Sequence, residues 1–275
     1  MSKENSIDKF LIIPNDKDIS KLSSKEFTSF ILPLEDYSVS FNVYFNVDEI
    51  NSISEKFNTY VVINKMLHKD QINSIEKVLK NLKNIKGYFV EDLGLSEIID
   101  KNKIILFSRH LINNHQAINY LSTLNIKNIT LSNELTINEI SEIRKHTNDK
   151  LYYFILEKPS LMYSKRKLLS NYYSFYNIEN NNKKDKIKEC SSLHEMDIIE
   201  DNDSTVILNS TVFCGYKYLE ELKNLDYLII NLSFLSEDIQ NIIIDNYDNT
   251  LLYTLINSEY YFLENEVPYK VGEII

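Results

Sequence analysis

A chain of 275 residues with 43% apolar side chains is long enough to bury the core of one sizeable α/β domain. Its 40 acidic and 30 basic residues give a net charge of −10, which excludes a duplex grip spread over the whole surface. Four glycines and two cysteines exclude a Gly-rich phosphate loop and a disulfide framework, and no CxxC is present.

The N-terminal stretch, Met1 to Lys9, holds acidic residues and no apolar run of signal-peptide length. No segment approaches a membrane-spanning run, so a cytoplasmic chain is expected. Beyond it, short β-branched runs alternate with longer helical patterns. Strands are expected at Phe10–Ile13, Phe41–Phe45, Tyr60–Ile63, Gly87–Val90, Ile104–Phe107, Ile129–Leu131 and Leu151–Leu156. Amphipathic helices are expected near Asp48–Phe57, Lys69–Leu82, Leu95–Asp100, Gln116–Leu124 and Ile137–His146. Thr136 and Glu139 have the spacing of a capping box, and Asn113 or Asn114 is placed to cap the helix after Ile112.

Strand–helix–strand units of this length build parallel sheets. Even spacing, with no Gly-x-Gly-x-x-Gly, favours a closed (β/α) barrel of the TIM type over an open nucleotide-binding sheet. The whole chain, 1–275, is read as one barrel domain. Its order is less regular past Leu156, so the C-terminal third is expected to depart from the ideal repeat. There, 177–186 reads as a mobile Asn/Lys loop, Ile187–Ile199 and Thr205–Leu208 as extended, and Val212–Leu222 as a helix. Tyr227–Leu232 reads as a late barrel strand, and Leu251–Ile256 and Tyr260–Phe262 as strand-like. Tyr172, Tyr173, Phe175 and Tyr176 are expected to pack against the barrel; stacking of bases on these rings, beside Lys165–Lys167, is the alternative.

No Gly-x-Ser-x-Gly elbow marks a serine nucleophile. His110 and His115 are five apart without a nearby Cys, and His68 and Asp70 sit at a strand-to-helix junction, so no metal site is expected from them. In a parallel barrel the residues just past each strand line the functional face. That rule brings Asn64 and Lys65, Glu91 and Asp92, Ser108, Arg109 and His110, and Asn133 and Glu134 to one mouth. Capping and turn roles explain the same residues.

Several segments, in order, resemble the collagenase-like peptidase U32 family. They are Tyr60-Val61-Val62-Ile63-Asn64, Asp92-Leu93-Gly94, Ser108-Arg109-His110 in place of Ser-Thr-Gln, and Leu131-Ser132-Asn133-Glu134-Leu135. Met162-Tyr163-Ser164, Arg166 and Leu168-Leu169-Ser170 follow the family's Tyr-Ser-Gly-Arg-Cys-Leu-Leu-Ser segment. Later, Ile207-Leu208-Asn209-Ser210 and Leu219-Glu220-Glu221-Leu222 match the stretch after the cysteine cluster. The resemblance runs from about Phe10 to Leu232. It implies a (β/α) barrel and adds Arg166 to a candidate mouth pocket of Asn64, Glu91, Asp92, Ser108, Arg109 and Glu134.

Members of the family with an iron–sulfur cluster place Cys before and after the Tyr-Ser-Gly-Arg segment, where this chain has Ser160 and Lys167. Cys190 and Cys214 fall elsewhere, and a cluster needs about four thiolates. No cofactor is therefore expected. The family's roles include proteolysis, prephenate-dependent hydroxylation of the wobble uridine of tRNA, and oxygen-independent hydroxylation in ubiquinone synthesis; several members act as pairs. The resemblance thus implies a non-catalytic subunit that partners a second U32 protein in tRNA hydroxylation, with indirect tRNA contact. The alternatives are a peptidase, or a barrel that binds a small anionic metabolite.

Overall fold

The computed structural model describes residues 6–107, 112–180, 182–190, 195–201 and 204–264. The chain opens with β1 (Phe10–Ile13), α1 (Ser20–Ser23), β2 (Ser29–Pro33), α2 (Val47–Ser54), β3 (Asn58–Ile63), α3 (Lys69–Asn81) and β4 (Ile85–Val90). Two 3-10 turns, Leu93–Glu97 and Lys101–Lys103, replace a helix before β5 (Ile104–Phe107). Then come α4 (His115–Thr123), β6 (Asn128–Thr130), α5 (Ile137–His146) and β7 (Lys150–Glu157). The capping box of Thr136 and Glu139 starts α5, and Asn114 caps α4 by accepting from the Ala117 N–H at 2.9 Å.

Next, an insert holds β8 (Ser160–Ser164), α6 (Leu168–Phe175), β9 (Lys184–Lys188), β10 (Glu195–Glu200) and β11 (Thr205–Asn209). It is followed by β12 (Val212–Cys214), α7 (Leu219–Leu222), β13 (Tyr227–Asn231), α8 (Glu237–Asp245), α9 (Leu252–Leu255) and β14 (Ser258–Glu259).

Among the described residues, β1 to β7 and β13 form a closed eight-stranded parallel barrel. Closure rests on β13, which pairs Leu228 with Phe10 on one side and Tyr227 with Tyr152 on the other. Alternation along each strand sorts the side chains. Phe10 and Ile12 face the helices, while Leu11 and Ile13 face inward. The interior is filled largely by aromatic rings. Phe89 meets Tyr60, Phe107 and Tyr152 edge-on at 6.1, 6.3 and 5.6 Å between centroids. Gly87 makes room for them, since a Cβ there would lie 2.9 Å from Ile105 Cδ1 and 3.2 Å from Tyr60 Cδ1.

The insert is a four-stranded antiparallel sheet in the order β8-β11-β10-β9, covered by α6 through Leu169 and Tyr173 against Ile198. It leaves the barrel between β7 and β13, and β12 returns antiparallel to the end of β7.

Several expected elements differ. Phe41–Phe45 is not a strand; the second barrel strand is β2 instead. Asp36 and Ser40 take positive φ, at 66° and 70°, which breaks an extended run and turns Phe41 into the barrel interior. Lys184 to Lys186, read as loop, begin β9, where pairing with β10 absorbs their backbone groups. Val212–Cys214 is strand, because it pairs with the end of β7; the expected helix begins as a 3-10 turn at Gly215–Tyr218 and continues as α7. Leu251–Ile256 holds α9, and Tyr260–Phe262 runs into a 3-10 turn, leaving only Ser258–Glu259 extended in that tail. Leu95–Asp100 lies largely in 3-10 turns. Among the described residues, no helix is long and apolar enough to cross a membrane.

Candidate functional site at the barrel mouth

The carboxyl ends of the barrel strands converge on one face, and the sequence-predicted residues take different places on it. Asn64 is 4% exposed and fully committed to structure. Its Oδ1 accepts from the Val39 N–H at 2.9 Å and its Nδ2 donates to the Val39 carbonyl at 3.1 Å. This two-point grip, with Ser38 Oγ donating to the Val62 carbonyl, holds the 38–45 loop across the mouth. Asp92 is exposed and caps the following turn by accepting from the Gly94 N–H at 2.8 Å. Glu91 is exposed beside it. Ser108, Arg109 and His110 lie outside the described residues. Arg166 is exposed in the insert, where its carbonyl accepts from Thr205 Oγ1 at 2.7 Å. Of the predicted set, Glu134 lines the cavity described next.

That cavity, of about 110 Å³, lies where β5, β6 and β7 end, roofed by the start of the insert and by the C-terminal turn. Phe107, Leu131, Phe154, Phe213 and Phe262 make most of its wall. Its polar groups are few. Asn133 Nδ2 donates to Glu157 Oε1 at 2.6 Å, and Glu157 is 6% exposed. Thr130 Oγ1 and Asn133 Oδ1 are both buried and have no hydrogen-bond partner among the described residues. Buried polar atoms are normally satisfied, so a donor and an acceptor left open in an apolar wall are a place for a small polar ligand group or water. Tyr261, also in the wall, bonds with Thr211; burial, with lesser repulsion from Glu259 and Glu157, pushes its phenol up to about 12 despite that bond. It therefore stays neutral and protonated at physiological pH.

Two roles can be weighed against this geometry. A hydrolytic nucleophile needs a base within reach. Ser160 lines the cavity, but its described contact is Ser40 Oγ at 3.4 Å. His115 and His146 stack on one another at 4.6 Å on α4 and α5, and neither contributes to the cavity wall. An iron–sulfur cluster does not fit the thiols present. Cys214 is wholly buried in the barrel core, where burial pushes its thiol up to about 11, and Cys190 is exposed after β9. Among the described residues, no group of three or more His, Cys, Asp or Glu is arranged to hold a metal ion.

Sequence reasoning missed Glu157 and Thr130 as site residues. Glu157 had a readable signal, since it is a lone acid ending a long apolar strand at the functional end of a barrel. Thr130 offered none, and Tyr261 and Phe262 come from a tail that reads as strand.

An eight-stranded parallel barrel with its mouth partly covered by an insert after the seventh strand is the class that fold and site define. The model of peptidase family U32 matches residues 38–251, most of the chain, and the chain belongs to that family. A similar protein is tRNA hydroxylation protein P of Haemophilus influenzae, 30% identical over 139 residues. The match covers 48% of this chain and 30% of that protein, so this chain spans about a third of its relative's length.

Proposed function

We propose that this chain is a non-catalytic U32 barrel that supports a related U32 subunit in hydroxylating the wobble uridine of tRNA. One observation carries the reading: the barrel mouth is kept while the positions expected to ligate a cluster do other work. Ser160 lines the cavity wall and Lys167 precedes the first turn of α6. The similarity to a protein named for tRNA hydroxylation supports the pathway, and the family resemblance supports the pairing. A peptidase role lacks a nucleophile–base pair among the described residues. An anionic metabolite is disfavoured because Glu134 and Glu157 line the cavity and no described cation does. The test is nucleoside mass spectrometry of tRNA from a deletion strain, together with pull-down of a second U32 protein by the tagged chain. Loss of 5-hydroxyuridine with a U32 partner recovered is the expected result. Unchanged 5-hydroxyuridine, or cleavage of gelatin by the purified chain alone, overturns the proposal.

A further inference from the structure

The insert presents a surface that the barrel mouth does not account for. α6 buries Leu169 and Tyr173, but Tyr172, Phe175 and Tyr176 stand 53%, 77% and 59% exposed. Their spacing of three and four residues makes them neighbours on the surface. Tyr176 lies 4.8 Å from Tyr172 and 4.9 Å from Phe175 between ring centroids. The sequence expectation of burial against the barrel thus fails for all four rings: Tyr173 is buried, but against Ile198 of the insert's own sheet, and the other three face outward. Three clustered exposed rings are a costly surface unless something covers them.

Charge indicates what covers them. Residues 165–188 hold seven Lys or Arg against two carboxylates, a balance of +5. The rest of the chain then holds 23 basic and 38 acidic residues, a balance of −15. Lys165, Arg166 and Lys167 lead directly into α6 and form no ion pair among the described residues. Of the other four, Lys183 pairs with Glu200, and Lys186 and Lys188 with Glu195, so the unpaired cations gather chiefly at the start of α6. A polyanion is repelled by the acidic bulk of the molecule and drawn to the unpaired Lys165–Lys167 run. An apolar protein partner would need the rings but not the cations. Duplex nucleic acid would use the cations but not the rings, because its bases are already stacked. Unpaired bases on a phosphate backbone use both.

We propose that this face of the insert binds single-stranded RNA, with bases stacked on Tyr172, Phe175 and Tyr176 and phosphates at Lys165, Arg166 and Lys167. The assignment stands on the patch itself. It rests on the proposed tRNA role only for the identity of the occupant in the cell, an exposed tRNA loop.

The test is fluorescence anisotropy of the purified full chain with a labelled single-stranded RNA of about 12 nucleotides, the same sequence as a duplex, and tRNA. Single-stranded RNA is expected to bind at least roughly tenfold tighter than the duplex. Tyr172→Ala and Phe175→Ala should each weaken it about tenfold, with melting temperature unchanged, while Tyr176→Phe keeps the ring and the affinity. Replacing Lys165, Arg166 and Lys167 together by Gln should reduce the salt slope by about 2. Affinity unaltered by the Ala substitutions, or no RNA binding at all, overturns the proposal. So does an Ala variant that still binds RNA but loses its U32 partner in sedimentation, which would make the patch a protein interface. Because the readout is RNA binding by the isolated chain, its failure is separate from that of the tRNA nucleoside analysis.

Discussion

Asn133 donates from Nδ2 to Glu157 Oε1 at 2.6 Å, joining the loop after β6 to the last residue of β7 at the barrel mouth. The bond fixes a buried carboxylate in a mostly apolar wall. Its donor is a neutral amide, so the bond itself brings no opposing charge. Asn133→Ala should destabilise the protein by about 1–3 kcal/mol, because a buried acceptor loses a donor. Asn133→Asp should cost more as pH rises through the carboxylate range, since two facing acids resist joint ionisation. Urea unfolding of both variants across pH checks this: equal midpoints at neutral pH would remove the Asn133–Glu157 bond as a stabilising contact.

Asn64 grips Val39 by both backbone groups. Asn64→Ala should cost about 1–3 kcal/mol and expose the 38–45 loop to proteolysis, with Phe41 withdrawn from the barrel. Limited trypsin or chymotrypsin digestion followed by mass spectrometry reads the cut sites. A digestion pattern identical to the parent protein contradicts the role assigned to Asn64.

Gly87→Ala places a methyl group 2.9 Å from Ile105 Cδ1 and 3.2 Å from the Lys103 carbonyl. Overpacking of this kind costs about 1–3 kcal/mol. A thermal midpoint at or above that of the parent would show that the ring-filled interior yields more readily than its contacts imply.

Burial alone would raise the Glu200 carboxyl, but Lys183 Nζ at 2.8 Å and the Ser170 hydroxyl and N–H outweigh it and hold it at about 2. A carboxyl depressed in the folded state contributes stability above its unfolded value near 4.5 and loses it as pH falls toward about 2. The insert should therefore loosen across that acid window before the barrel does. Glu200→Gln should flatten this limb. Hydrogen exchange resolved to α6 and β10 follows it, and identical acid profiles for the two proteins would refute the assignment.

In the native protein one thiol, Cys190, should react with Ellman's reagent, and Cys214 should react only after unfolding. Two rapid equivalents from folded protein would mean that Cys214 is not sealed in the core.

Much of the barrel was legible because its strands are continuous β-branched and aromatic runs. Thr136 with Glu139, and Asn114, mark helix starts by chemistry that needs no tertiary context. The second strand was hidden. Phe41, Val43 and Phe45 alternate as convincingly as Phe30 to Leu32, and only the positive φ of Ser40, a tertiary outcome, tells plug from strand. The antiparallel insert was read as extended pieces, since strand direction and partner are not local properties. The candidate site was legible as a rim but not as a cavity. Asn64 and Asp92 occupy rim positions yet spend their polar groups on the backbone, whereas Glu157 and Thr130 look like ordinary strand residues until the insert roofs them.

The pairing of Leu228 with Phe10 has a consequence for how the molecule is made. β1 and β7 both wait for β13, so two adhesive sheet edges stay open while the insert is synthesised between them. The barrel can close only after the ribosome has released residue 231, and across a very long loop. Until that docking the nascent chain carries both edges unpaired, and its demand for chaperones should fall once β13 is in place.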